Sequence, residues 1–195
     1  MDDITGFGHS SFILIMVHLD VPEKIETTRL ILQRLRYEDA EEIFYCYASK
    51  PEATRYLSWA THQSIEDTRA FVRYAVASWN LGLDYSFSIR LKGAARLIGS
   101  FGVIHEDGKI QFGYVITPTE WGRGYATEAC QAMMKLLRTF PSLHRIGTFV
   151  DAENLSSISV LVKSGLVEEA RLVKWFRFIN QSGAPKDCVL FRLPQ

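Results

Sequence analysis

Lys109-Ile110-Gln111-Phe112-Gly113-Tyr114-Val115-Ile116 is followed, after Thr117-Pro118-Thr119-Glu120, by Trp121-Gly122-Arg123-Gly124-Tyr125-Ala126-Thr127-Glu128-Ala129. Across these residues the apolar pattern changes from alternation to helical spacing. Ile110, Phe112, Tyr114 and Ile116 share one face of a strand, and Gln111, Gly113 and Val115 share the other. Pro118 closes the strand. From Ala126 onward Ala129, Cys130, Met133, Met134 and Leu137 recur on one helical face, with Glu128, Gln131, Lys135 and Arg138 opposite, until Pro141 stops the helix. A glycine-rich turn therefore joins a strand to the start of an amphipathic helix. The first N–H groups of a helix have no intrahelical partner, and the helix dipole adds positive charge there. Gly122 and Gly124 would let backbone come close to an anion, so the turn is a candidate pyrophosphate cradle. A bare Gly-x-Gly is more often only a tight turn. The surrounding sequence has to decide.

Working outward, Thr28–Leu35 reads as a strand and Glu38–Ala48 as a short helix ended near Pro51. Ser64-Ile65-Glu66-Asp67 opens a second helix with an approximate capping box, and Gly82 stands where a C-cap glycine belongs. Strands follow at Tyr85–Leu91 and Leu97–Val103, and Asp107-Gly108 is a hairpin signal. After the central strand and helix come a strand at Arg145–Val150, a short helix through Leu155, Ile158, Leu161 and Val162, and a strand within Leu166–Asn180. Cys188–Leu193 pairs back across Ser182-Gly183-Ala184-Pro185. Consecutive hairpin-type strands before the glycine turn argue against an alternating doubly wound fold. A dinucleotide-binding reading also fails at Thr127, where the third fingerprint glycine would fall.

The chain has 195 residues, 47% hydrophobic and 23% charged, which suits one domain with a substantial core. A formal net charge of +0 gives no reason to expect nucleic acid or a membrane surface as partner. Cys46, Cys130 and Cys188 are far apart, and the five histidines lack ligand spacing, so neither a disulfide framework nor a metal site is expected. No apolar run is long enough to span a bilayer, and Phe12–Val17 follows Asp2 and Asp3 rather than basic residues, unlike a signal peptide. The expected organisation is an N-terminal arm over residues 1–24, in which Met16 could serve as an alternative start, and a single domain over 25–195 in a reducing cytoplasm.

The central stretch and the element order resemble the GNAT acetyltransferase superfamily from Thr28 to Leu193. Its fingerprint, Gln/Arg-x-x-Gly-x-Gly/Ala, is met by Gly124 and Ala126, with Trp121 at the first position. Trp121 followed by Gly-x-Gly-Tyr-Ala-Thr-Glu-Ala is similar to the branch containing the Rim-type, ribosomal-protein-alanine N-acetyltransferases. So are Thr28-x-Leu30, Ser64 to Phe71, and Asn154-x-x-Ser157 before Lys163-Ser164-Gly165.

The resemblance implies an α+β three-layer fold: a mixed, mostly antiparallel sheet of about seven strands, flanked by four helices, with splayed central strands. It implies acetyl-CoA as co-substrate and no metal. The pantetheine arm would lie between Lys109–Ile116 and Arg145–Val150, against backbone of Tyr114, Val115 and Ile116. The pyrophosphate would sit on Gly122, Arg123, Gly124, Tyr125, Ala126 and Thr127, and Asn154 would bond the arm. A neutral amine would attack the thioester carbonyl directly, a backbone N–H near Val115 or Ile116 would stabilise the oxyanion, and the thiolate would leave. Many relatives carry a Tyr acid where this chain has Leu161, so Ser157 is the candidate acid, with helix capping as its other reading. The base is unassigned, because Gln111 stands where many relatives have Glu. The expected acceptor is a protein N-terminal α-amino group. The alternatives are a small amine (polyamine, antibiotic or amino acid) and a non-catalytic acyl-CoA-binding protein. Tyr56, Trp59, His62, Trp175, Phe176 and Phe178 are the aromatics expected near the acceptor groove. A homodimer is carried as an open expectation.

Overall fold

The structure, a computed structural model, describes residues 18–194, so Phe12–Val17 and the alternative start at Met16 lie outside the described residues. In chain order it has β1 (Lys24–Glu26), β2 (Leu30–Arg34), a 3-10 turn (Tyr37–Asp39), α1 (Ala40–Ile43) running into a π-type turn (Phe44–Ala48), α2 (Pro51–Thr54) and α3 (Ile65–Asn80). β3 (Asp84–Leu91), β4 (Leu97–Glu106), β5 (Lys109–Ile116), α4 (Tyr125–Leu137), β6 (Arg145–Asp151), α5 (Leu155–Lys163), β7 (Val167–Phe176) and β8 (Lys186–Arg192) follow.

The strands make one sheet in the order β1-β2-β3-β4-β5-β6-β8-β7. Every neighbouring pair is antiparallel except β5 with β6. Among the described residues eight strands stand where about seven were expected. The additional one, β1, is a three-residue edge strand of Lys-Ile-Glu, too short to show alternation. Among the described residues five α-helices stand where four were expected, because Pro51 does not merely stop the preceding helix. It occupies the first turn of α2, where its missing N–H costs nothing.

The local signals act as their chemistry predicts. Ser64 and Asp67 form the reciprocal capping box of α3. Asp107 and Gly108 both take positive φ, 47° and 74°, the geometry of a two-residue hairpin turn. Alternation along β5 sorts its side chains between two cores. Ile110, Phe112 and Ile116 join Phe101, Cys130, Met133 and Leu161 on the α4–α5 side. Val115 joins Leu35, Ile43, Tyr47 and Val72 on the α1–α3 side. The sheet is thus the middle of three layers. Leu19 and Val21 are buried in the first core, so the chain joins the domain before residue 24.

Candidate functional site

β5 and β6 are paired only at their first residues, Lys109–Gln111 against Arg145–Gly147. Beyond Gln111 the two strands part, and the backbone of β5 loses its partner. Thr148 fills the first vacated position: its Oγ1 donates to Phe112 O at 2.7 Å. At the far end Trp121 Nε1 donates to Ile116 O at 2.7 Å. Thr117 N instead bonds Ile98 O near the start of β4. These bonds fix the parity of the strand. Tyr114 and Ile116 turn their backbone groups into the gap, while Val115 turns its own toward β4. Of the three residues expected against the pantetheine arm, two therefore present backbone to the opening and Val115 does not. The side chain of Trp121 is 53% exposed, yet its indole N–H is committed, which pins the loop after β5.

That loop leads into α4. Gly122 and Gly124 have φ of 75° and 77°, a conformation that L side chains resist. A Cβ added to Gly122 would meet no atom within 4 Å, so the surface beside it is open. Gly124 is the N-cap and has no side chain to bond the first turn, so the N–H groups at the start of Tyr125, Ala126 and Thr127 are not capped by a side chain. Arg123 is exposed, but its guanidinium turns back to Glu120 at 3.1 Å. Glu120 is 5% exposed and also receives Arg96 at 2.6 Å. Arg29, just before β2, reaches this loop: its Nη1 donates to Arg123 O and its Nε to Glu128.

Across the gap, Asn154 caps α5 by accepting from Ser157 N at 3.1 Å. The capping role thus belongs to Asn154, and Ser157 is a half-buried residue of the first turn of α5. Tyr114 O–H donates to Ser157 O at 3.4 Å, which sets this phenol and Ser157 side by side. Burial pushes the Tyr114 phenol well above its ordinary pKa, with the bond to Ser157 opposing, so it stays protonated. Leu161 is 1% exposed in the core and brings no proton donor.

On the opposite face of the sheet, Gln111 lies in a cavity of about 200 Å³ with Ile104, Glu106, Gly147, Phe149 and Leu190. Nothing lies within 4 Å of a Cβ placed on Gly113, one alternation further along that face. Phe176 packs against both Phe149 and Phe178. Trp59 stacks with Phe71 and lies against Tyr47 and His62. Asn180, between β7 and β8, ties that loop to the segment from the end of α2 to Thr61, accepting from Thr61 N and donating to Thr54 O and Trp59 O. Trp175 is exposed on β7, and Tyr56 lies under the Arg55 guanidinium. His105 accepts from Gly108 N and serves the hairpin. Among the described residues no cluster could hold a metal, the three cysteines are free, and no helix is long and apolar enough to cross a membrane.

Two contributors were not legible in the sequence. Thr148 reads only as one more residue of a strand, and Arg29 lies 94 residues from the loop carbonyl it bonds.

The chain is 29% identical to the N-acetyltransferase YoaA of Bacillus subtilis over 172 residues, covering 87% of this chain and 95% of that protein. Its fold is that of RimL, a ribosomal L7/L12 alpha-N-protein acetyltransferase solved with coenzyme A. The TM-score is 0.79, with 17% identity over 87% of this chain and 97% of the other. It is also that of the microcin C7 self-immunity acetyltransferase MccE, solved with acetyl-CoA and AMP (TM-score 0.78, 16% identity, 88% and 96% covered). The acetyltransferase (GNAT) domain family matches residues 29–167, well over half of the chain, and the protein belongs to that family of N-acetyltransferases.

Proposed function

We propose that this acetyltransferase carries the acetyl group of acetyl-CoA to the α-amino group of a protein N-terminus, ribosomal or otherwise, by direct attack within a ternary complex. The observation that carries the reading is the continuity of the opened β5 edge with the uncapped start of α4. The edge offers backbone partners to an extended pantetheine amide chain, and the helix start offers N–H groups to a pyrophosphate. Tyr114, Ile116, Gly122, Gly124, Tyr125, Ala126 and Thr127 would hold the donor, with Asn154 shaping the far wall. Arg123 would contribute backbone, its charge being partnered by Glu120.

In the reaction a lone pair on the neutral amine attacks the thioester carbonyl and the carbonyl oxygen takes the negative charge; the nitrogen, now cationic, gives its extra proton to water, and the oxyanion re-forms the carbonyl of the amide as the C–S bond breaks and thiolate leaves. The Ile116 N–H, aimed into the gap, suits the oxyanion better than that of Val115. Ser157, beside Tyr114, is the proposed donor of the proton to sulfur. Gln111 lines the cavity on the α1–α3 side of the sheet, and its amide cannot take a proton from the amine. An α-amine, with a pKa of about 8, is partly neutral near pH 7 to 8, whereas a lysine at about 10.4 is almost wholly charged. This favours a chain terminus over a lysine side chain. A small free amine is the second reading, supported by the small volume of the Gln111 cavity.

The test is an acetylation screen pairing short peptides of varied first residue with polyamines and aminoglycosides, read by mass. Acetyl on a peptide α-nitrogen, absent when that nitrogen is blocked beforehand, is the expected result. Turnover of a small amine with no peptide modified would replace this reading with the second.

A further inference from the structure

We propose that Arg29 is a positioning residue for the phosphate-bearing end of the acetyl donor; this rests on the reading of Gly122–Thr127 as the donor's anion site. Arg29 is held on three sides. Its Nε donates to Glu128 Oε2 at 2.6 Å, its Nη1 donates to Arg123 O at 3.0 Å, and its guanidinium lies 4.6 Å from the centroid of the Tyr125 ring. Its Nη2 lies over Gly124, 3.6 Å from the point a Cβ there would occupy. A flat cation is thus fixed against the glycine loop, at the side where the helix start is uncapped.

Glu128 makes this arrangement necessary. It lies in the first turn of α4, within the reach of any anion bound to the helix start. A bare carboxylate there would repel phosphate and oppose the attraction of the N–H groups. In this chain both of its oxygens are occupied. Oε1 accepts from Thr27 Oγ1 at 2.6 Å and from Arg29 N at 2.8 Å, and Oε2 accepts from Arg29 Nε. Arg29 therefore silences the carboxylate and braces the Arg123 carbonyl, and it sets its remaining edge above Gly124. Arginine suits this work because its planar fork makes several fixed bonds at once, which lysine cannot. The cation nearer in sequence, Arg123, is turned away to Glu120.

The test compares acetyl-CoA with S-acetyl-pantetheine, which carries the thioester arm without pyrophosphate or nucleotide. Dissociation constants are measured for the wild type, Arg29→Met, Glu128→Gln and the double variant, each with its fold checked by circular dichroism. Arg29→Lys, which keeps the charge, replaces Arg29→Met if that variant does not fold. Arg29→Met should weaken acetyl-CoA about tenfold or more and change acetyl-pantetheine by no more than about twofold. Arg29→Lys should show a smaller loss, again confined to acetyl-CoA. The double variant should recover much of the loss, since the exposed carboxylate is gone. Equal losses for both thioesters, or no recovery in the double variant, would reduce Arg29 to a structural brace and overturn the proposal. A wild type that binds acetyl-CoA no better than acetyl-pantetheine would overturn the anion-site reading itself.

Discussion

Ser157 and Tyr114 put two hydroxyl-bearing residues beside the opening between β5 and β6, and only one is proposed to hand its proton to sulfur. Ser157→Ala should lower kcat about tenfold or more while leaving acetyl-CoA affinity nearly unchanged. Tyr114→Phe, which keeps the ring, should change kcat far less; the reverse order in steady-state kinetics would move the acid role to Tyr114. Thr148 is a separate case. Its hydroxyl gives Phe112 O the partner that the parting strands withdraw, so Thr148→Val should cost about 1–3 kcal/mol in chemical denaturation. A variant as stable as the wild type would mean that water replaces the hydroxyl without loss. At this scale the sequence was readable where a residue's chemistry is local. Gly122 and Gly124 announce themselves by their neighbours in the chain. Thr148 and Arg29 do not, because their partners lie 36 and 94 residues away and only the folded sheet brings them together.

The start of α4 is the element in which stability and function meet. Burial pushes the Glu128 carboxyl up, but the Thr27 hydroxyl, the Arg29 backbone N–H and the Arg29 guanidinium outweigh it and hold it below the usual carboxylate range. A carboxyl depressed in the folded state stabilises the protein above its unfolded value, about 4.3, and that contribution is lost as pH falls through the lowered folded value. The melting-temperature gap between wild type and Glu128→Gln should therefore be widest near neutral pH and should close as the pH drops below about 4. A gap that does not change with pH would remove the charge from the explanation. Long, strongly patterned elements such as α3, α4 and β5 were legible from periodicity and capping. β1 and α2 were not, since three or four residues cannot display a period and Pro51 can open a helix as readily as close one.

The whole molecule is a sheet between two cores, opened along one internal seam, and the seam runs into the glycine loop. Its outline was legible because the element order forbids alternating βαβ winding and the glycine turn has one place in that order. How far β5 and β6 separate was not, since it depends on pairing between strands that α4 keeps apart in sequence. Leu19 and Val21 anchor the chain in the core, so deletion of residues 1–15 should leave acetyl-CoA binding intact. A folded truncation that no longer binds would assign those residues to the site. The most direct measurement on the whole account is the thermal melt with and without acetyl-CoA, in wild type and in Gly124→Glu. At a hundredfold excess over its dissociation constant the ligand should add about 2.7 kcal/mol and raise the wild-type melting temperature by several degrees. Gly124→Glu, still folded, should show no rise, because a carboxylate and a side chain then occupy the cradle. An unshifted wild type, or an equal shift in both proteins, would contradict the account.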